Sequence, residues 1–183
     1  MLKVIRAGMY TTVQDCGRDG LRQSGVSRGG AMDKPALITA NLLVGNDANA
    51  AALEITLGMA SFHFARDGWF ALTGAGSEAT LDDEAVWSGW RHWAKAGQTL
   101  TLKRPQYGIR SYLAVAGGID VPAVMGSRST DLNVGIGGLE GRRLQDGDVL
   151  PLGNPLRTFK APRGVKPLLP SNHIRALPGP EYH

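Results

Sequence analysis

The sequence predicts a mainly β chain, a barrel or sandwich of short strands with one short helix. Three observations carry that expectation. Apolar residues recur at period two through most of the chain, turn residues interrupt them at short intervals, and a single segment keeps a helical period. The 25 glycines and 10 prolines among 183 residues fit the same class, because short strands need many tight turns.

From the N-terminus, Met1 to Arg6 reads as a first strand. The polar stretch Thr11 to Arg18 reads as a loop. Asp33 is a good N-cap, Pro35 fits a first turn, and Ala36, Leu37, Ala40, Leu43 and Val44 recur at helical spacing until Gly45 supplies the stop. A lone helix in such a domain is expected to plug one end of the barrel. Leu53, Ile55 and Leu57 then alternate with Glu54 and Thr56, and Phe62 and Phe64 with Ser61 and His63. Leu100 and Leu102 alternate within Thr99–Lys103, and Ile109, Leu113 and Val115 alternate with Arg110, Tyr112 and Ala114. Each pattern implies a half-buried strand. Turn signals separate them at Arg66-Asp67-Gly68, Asp82-Asp83, Pro105 to Gly108, Gly117-Gly118 and Asp146-Gly147-Asp148. Beyond Gly153 the pattern dissolves and returns only over residues 174–177. The expected organisation is therefore a β domain over 1–153 followed by a Pro-rich basic linker over 154–183.

Charge follows the same division. Residues 1–153 hold 15 Lys and Arg against 15 Asp and Glu, so the whole net charge of +4 lies in residues 154–183. A neutral body with a basic tail, and no recognised nucleic-acid module, argues against nucleic-acid binding. No apolar run reaches the roughly 20 residues of a membrane span, so no membrane association is expected. Cys16 is the single cysteine and cannot form an internal disulfide, which makes a reducing cytoplasm the expected location.

Three glycine-containing stretches carry the polar chemistry: Thr11 to Arg18, Ser24 to Asp33, and Gly126 to Asp131. Each joins glycine, which lets backbone N–H groups approach a ligand, to hydroxyls and an arginine. Arginine presents a planar fork suited to carboxylate or phosphate, and the chain holds 14 Arg against 6 Lys. Taken singly, Asp15, Asp33 and Asp131 read as caps or loop braces, with Arg18 paired to Asp15 or Asp19. Taken together, the three loops read as an anion-binding surface. Cys16 has no histidine beside it to act as its base. His63 and His92 alternate with aromatics, and no cluster has metal-ligand spacing, so no metal site is expected. No Met-Lys-Met context is present to carry covalent biotin.

In order and spacing, these residues resemble one family. Arg6-Ala7-Gly8, then Thr11-Thr12-Val13-Gln14-Asp15 with Gly17-Arg18, resembles its opening signature. Gly30-Ala31-Met32-Asp33, Asn41, Gly45-Asn46 and Leu53-Glu54-Ile55-Thr56 resemble its helix and the strand after it. Ala116-Gly117-Gly118-Ile119 and Gly126 to Leu132 resemble its central signature. The family is that of the biotin-dependent carboxyltransferases. The neighbourhoods of Leu57-Gly58, Trp69 to Gly76 and Leu177 to Tyr182 look closest to the branch formed by the C subunit of 5-oxoprolinase.

That resemblance implies a cyclophilin-like β-barrel with one short helix. It also implies work with the A and B subunits of 5-oxoprolinase to open 5-oxo-L-proline to L-glutamate with ATP and Mg2+. Under it, Asp15, Asp33, Ser129 and Asp131 are the catalytic candidates, and Arg18, Arg28, Ser127, Arg128 and Thr130 the substrate- and phosphate-binding ones. Members of the family continue past the Pro178-Gly179-Pro180 region into a second half, so the 183-residue chain is expected to be incomplete and inactive alone. Two other readings stay open: carboxyl transfer from carboxybiotin to urea or a related amide, and non-catalytic binding to a kinase-inhibitor-like partner. A neighbouring gene for a biotin carboxylase would favour the first.

Overall fold

The computed structural model describes residues 1–166 and 176–181, so the apolar return expected over 174–177 lies partly outside them. In chain order the first elements are β1 (Leu2–Arg6), β2 (Tyr10–Gln14), the helix α1 (Lys34–Leu43), β3 (Ala52–Thr56), β4 (Ser61–Phe64) and β5 (Gly68–Gly74). There follow β6 (Ser77–Leu81), β7 (Glu84–Val86), β8 (Trp90–Ala94), β9 (Thr99–Pro105), β10 (Arg110–Val115), β11 (Val149–Leu150) and β12 (Arg163–Gly164). They make two antiparallel six-stranded sheets, ordered β11-β1-β4-β9-β6-β7 and β12-β8-β5-β10-β3-β2.

The chain is mainly β with one short helix, as expected. Among the described residues no strand pairing joins one sheet to the other, so the barrel is not closed by hydrogen bonds. The sheets face each other across one apolar core. Leu2, Val4, Phe62, Phe64 and Leu100 from the first sheet meet Leu53, Ile55, Phe70, Leu72 and Leu113 from the second.

The helix does not plug an end. Leu37, Ala40 and Leu43 of α1 pack on Trp69, Ala71, Tyr112 and Ala114, which form the outer face of the second sheet. The space between the sheets is already filled by phenylalanines and leucines. The helix instead covers the face that would otherwise expose apolar surface. Ala71 and Ala114 at its centre leave room for close approach. This is why Tyr112 and Ala114, which the alternating pattern put on a polar side, are buried.

Two further differences bear on the site. Tyr10–Gln14 is a strand, paired antiparallel with β3 from Tyr10↔Thr56 to Gln14↔Ala52, although its polarity reads as a loop. Its threonines find partners: Thr11 Oγ1, for example, donates to the Ala7 carbonyl at 2.5 Å. The second sheet also extends into the segment read as linker, where Arg163–Gly164 pairs with β8. Phe159 packs edge-on against Trp69, and the Arg91 guanidinium lies 3.7 Å from the Phe159 ring centre.

Candidate functional site

Where β2 ends, the chain crosses the 127–130 loop, and one buried carboxylate joins the two. Asp15, 3% exposed, accepts at Oδ1 from Gly17 N at 2.7 Å, Ser127 Oγ at 2.7 Å and Ser129 Oγ at 2.5 Å. Its Oδ2 accepts from Arg128 N at 2.6 Å, and its own N–H donates to Ser129 Oγ at 2.9 Å. Burial pushes the Asp15 carboxyl upward, but hydrogen bonds from Ser127, Ser129, Arg128 N and Gly17 N outweigh it and hold the group below its ordinary value. Thr130 completes the seam: its Oγ1 donates to the Val13 carbonyl at 3.0 Å, and its carbonyl accepts from Gln14 Nε2 at 3.2 Å.

Arg18 lies at the same junction and is 2% exposed. Its Nε donates to the Val124 carbonyl at 3.2 Å and its Nη2 to the Ser129 carbonyl at 2.6 Å. Among the described residues it has no carboxylate within ion-pair distance, and Nη1 is buried without a hydrogen-bond partner. A buried cation met only by carbonyl dipoles is costly, and it ties the 121–130 segment to the 15–18 turn. Glycines make the crossing possible. A Cβ on Gly30, at φ +90°, would lie 2.7 Å from the Cys16 carbonyl carbon, and one on Gly137 would overlap the Ser129 carbonyl.

The remaining sequence-predicted residues surround this junction or stand apart from it. Arg28 is exposed and paired with Asp19, Nε to Oδ1 at 2.7 Å. Asp131 accepts from Ser27 Oγ and from Asn133 N, and the Ser27 bond draws its carboxyl below the ordinary value. Asp33 stands at the helix start, where Oδ1 caps Ala36 N at 3.0 Å. Its N–H donates to Tyr112 Oη, which in turn donates at 2.6 Å to the buried Glu54 carboxylate. Burial raises the Cys16 thiol above its ordinary value, with Lys34 and Arg28 pulling against it.

Arg128 faces outward from the junction. Its Nε donates to the Val121 carbonyl at 2.7 Å, its Nη2 lies 3.5 Å from Asp120 Oδ1, and its side chain is 43% exposed. It borders an open cleft of about 380 Å3 between the loop after α1, the Gly117-Gly118 turn and residues 154–156. Thus Asp15, Arg18, Ser127, Arg128, Ser129 and Thr130 are brought together, Arg28 and Asp131 lie at the rim, and Asp33 belongs to the helix cap.

Of the two asparagines that build the cleft, sequence reasoning quoted Asn46 only as part of a signature and missed Asn49. Asn46 is buried and joins α1 to β10, donating to the Val115 carbonyl at 2.9 Å and accepting from Gly117 N at 2.8 Å. Asn49 Oδ1 accepts from Cys16 N at 2.8 Å. Nothing in a single sequence marks Asn49 as more than a loop residue. It missed the glycines from Gly135 to Gly141 as well, although the glycine content that marks the other three loops marks this one too.

A family model described as "Carboxyltransferase domain, subdomain A and B" matches residues 24–183, and the chain belongs to that family. It is 73% identical over all 183 residues to the C subunit of 5-oxoprolinase from Escherichia coli (strain K12), and spans 59% of that relative's length. Among solved structures, the crystal structure of TTHA0988 in space group P212121 superposes with a TM-score of 0.89 at 36% identity, over 98% of this chain and 36% of that one. The urea amidolyase of K. lactis gives a TM-score of 0.79 at 39% identity, over 82% of this chain and 9% of that one. No helix among the described residues is long and apolar enough to cross a membrane.

Proposed function

We propose that the chain acts as part of the C subunit of an ATP-dependent 5-oxoprolinase, opening 5-oxo-L-proline to L-glutamate in the cytoplasm together with the A and B subunits. The 73% identity to a 5-oxoprolinase C subunit supports this reading most strongly. A lactam is a weak electrophile, and transfer of a phosphoryl group from ATP to its oxygen makes the ring carbon open to attack by water. That chemistry calls for cations and N–H donors around phosphate and a partner for the substrate carboxylate. Arg128, with its fork at the cleft, is suited to the carboxylate. Arg28 is the accessible cation for phosphate oxygens, and Asp131 the accessible carboxylate for a magnesium ion arriving with the nucleotide. Asp15, Arg18, Ser127, Ser129 and Thr130 act as positioning residues, because their polar atoms hold the loop that carries Arg128.

The second reading, carboxyl transfer from carboxybiotin to urea or a related amide, is favoured by the 39% identity to K. lactis urea amidolyase. Glutamate release separates the two. The chain is assayed with 5-oxoproline and ATP alone, then with the A and B subunits, then with the rest of a full-length C subunit added in trans. No turnover alone and ATP-dependent glutamate release on reconstitution is the expected result. Carboxylation of urea without any glutamate release would replace the first reading with the second.

A further inference from the structure

We propose that the cleft beside Arg128 binds a small carboxylic acid with a neighbouring amide or lactam, and that Asn49 recognises the amide carbonyl. The identity of that acid as 5-oxoproline rests on the function proposed above; the site itself rests on geometry.

The cleft's volume of about 380 Å3 falls in the roughly 300–1,000 Å3 range of small-molecule sites. Arg128, Asn49, Asp47 and Asp120 contribute to its lining. The polarity of Asn49 is fixed by chemistry. The Cys16 N–H, 2.8 Å away, has only a hydrogen to offer, so the oxygen end of the amide must face it. The NH2 end is then turned away from Cys16, and it has no protein acceptor among the described residues. Asn49, exposed on the lining of the cleft, thus has a two-hydrogen donor left over there, and its oxygen end is fixed by a backbone bond that needs no ligand. Arg128 is anchored likewise. Its backbone N–H is held by Asp15, its Nε by the Val121 carbonyl, and its Nη2 lies 3.5 Å from Asp120 Oδ1, which leaves Nη1 as the arm of the guanidinium for a ligand carboxylate. Asp47 and Asp120 supply acceptors for an N–H.

A cation, an amide donor and acceptors on one cleft match a carboxylate, a carbonyl oxygen and an N–H on one compact ligand. 5-Oxoproline carries all three on a five-membered ring. The cleft is also built in advance. Asn46 ties its loop to β10, and Gly117 packs against Gly153 so closely that a side chain on either would overlap the other's carbonyl. Little ordering is left for the ligand to impose.

Asn49→Asp is the decisive variant, because a carboxylate still accepts from Cys16 N but cannot donate into the cleft. The full chain is labelled with nitrogen-15 and titrated with 5-oxo-L-proline and with N-acetylglycine, an open-chain acid with an adjacent amide. Expected are shifts of the Asn49 side-chain NH2 signals on adding 5-oxoproline. Binding to N49D should be ten- to a hundred-fold weaker, about the value of a hydrogen bond to a well-placed donor, while the Cys16 amide signal stays in place. If N49D binds 5-oxoproline as well as the wild type, the Asn49 assignment is overturned and the 5-oxoprolinase reading is untouched. If N-acetylglycine binds through Asn49 and 5-oxoproline does not, the site stands and the substrate reading falls. If neither ligand moves the cleft's signals, the site is overturned.

Discussion

Replacing Asp15 by alanine removes the acceptor on which two separate chain segments meet. Four donors reach its carboxylate: Gly17 N, Arg128 N, Ser127 Oγ and Ser129 Oγ, at 2.5 to 2.7 Å. The two hydroxyls can rotate towards other acceptors, but the two backbone N–H groups cannot. Each hydrogen bond to a charged group contributes about 1.5–3 kcal/mol, so losing the two fixed donors costs about 3–6 kcal/mol. Water offers little relief, because Ser127 and Ser129 are 1% and 0% exposed. Against the roughly 5–15 kcal/mol stability of an ordinary domain, that is a large fraction. Asp15→Asn should cost less, about 2–4 kcal/mol, because its oxygen still serves one side while its NH2 opposes the Arg128 N–H. Urea unfolding followed by circular dichroism, at constant slope, measures both. A loss under about 1 kcal/mol for Asp15→Ala would refute the view that this carboxylate holds the junction together.

Three other outcomes follow from the same geometry. Arg128→Ala should weaken apparent 5-oxoproline affinity about ten- to a hundred-fold in the reconstituted complex, and Arg128→Lys should recover little, since an ammonium cannot reproduce the fork; an unchanged KM would exclude Arg128 from the ligand. Cys16→Ser should keep nearly full activity, because burial holds the thiol above its ordinary value and so protonated at neutral pH; fast, substrate-protected inactivation by a thiol reagent would contradict this. Thermal melting should also depend on pH through Asp15. Its folded pKa lies below the ordinary 3.8, so its contribution is complete above that value and is lost as pH falls through the depressed one. The gap in Tm between wild type and Asp15→Asn should therefore narrow below about pH 4, and a constant gap would count against the ionised role.

Much of the fold was legible because burial on one face of a strand writes itself into period two. Phe62 and Phe64, Leu100 and Leu102, and Leu53 and Ile55 all face the inter-sheet core as the alternation requires. The helix was legible from Asp33 to Gly45 because capping and helical spacing are local. β2 was not, since Thr11, Thr12 and Gln14 are polar residues that are nonetheless buried, and no local rule anticipates a hydrogen bond such as that from Gln14 to the Thr130 carbonyl, across 116 residues.

The sequence by itself determined the class of structure, the family signature and the set of polar loops. Each depends on neighbours in the chain or on residue types in order. Only the tertiary structure decided where the helix lies, because that depended on which sheet face was left uncovered. It also decided what the loop residues do. Asp15, Ser127 and Ser129 look alike in composition to any ligand-binding trio, yet their atoms are bonded to one another and to Arg128 N. Asn49 looks like a turn residue, yet the Cys16 N–H, 33 positions away, fixes its orientation at a cleft. A side chain's chemistry is written in the sequence, but its free hydrogen-bonding capacity is what remains after distant partners have taken their share.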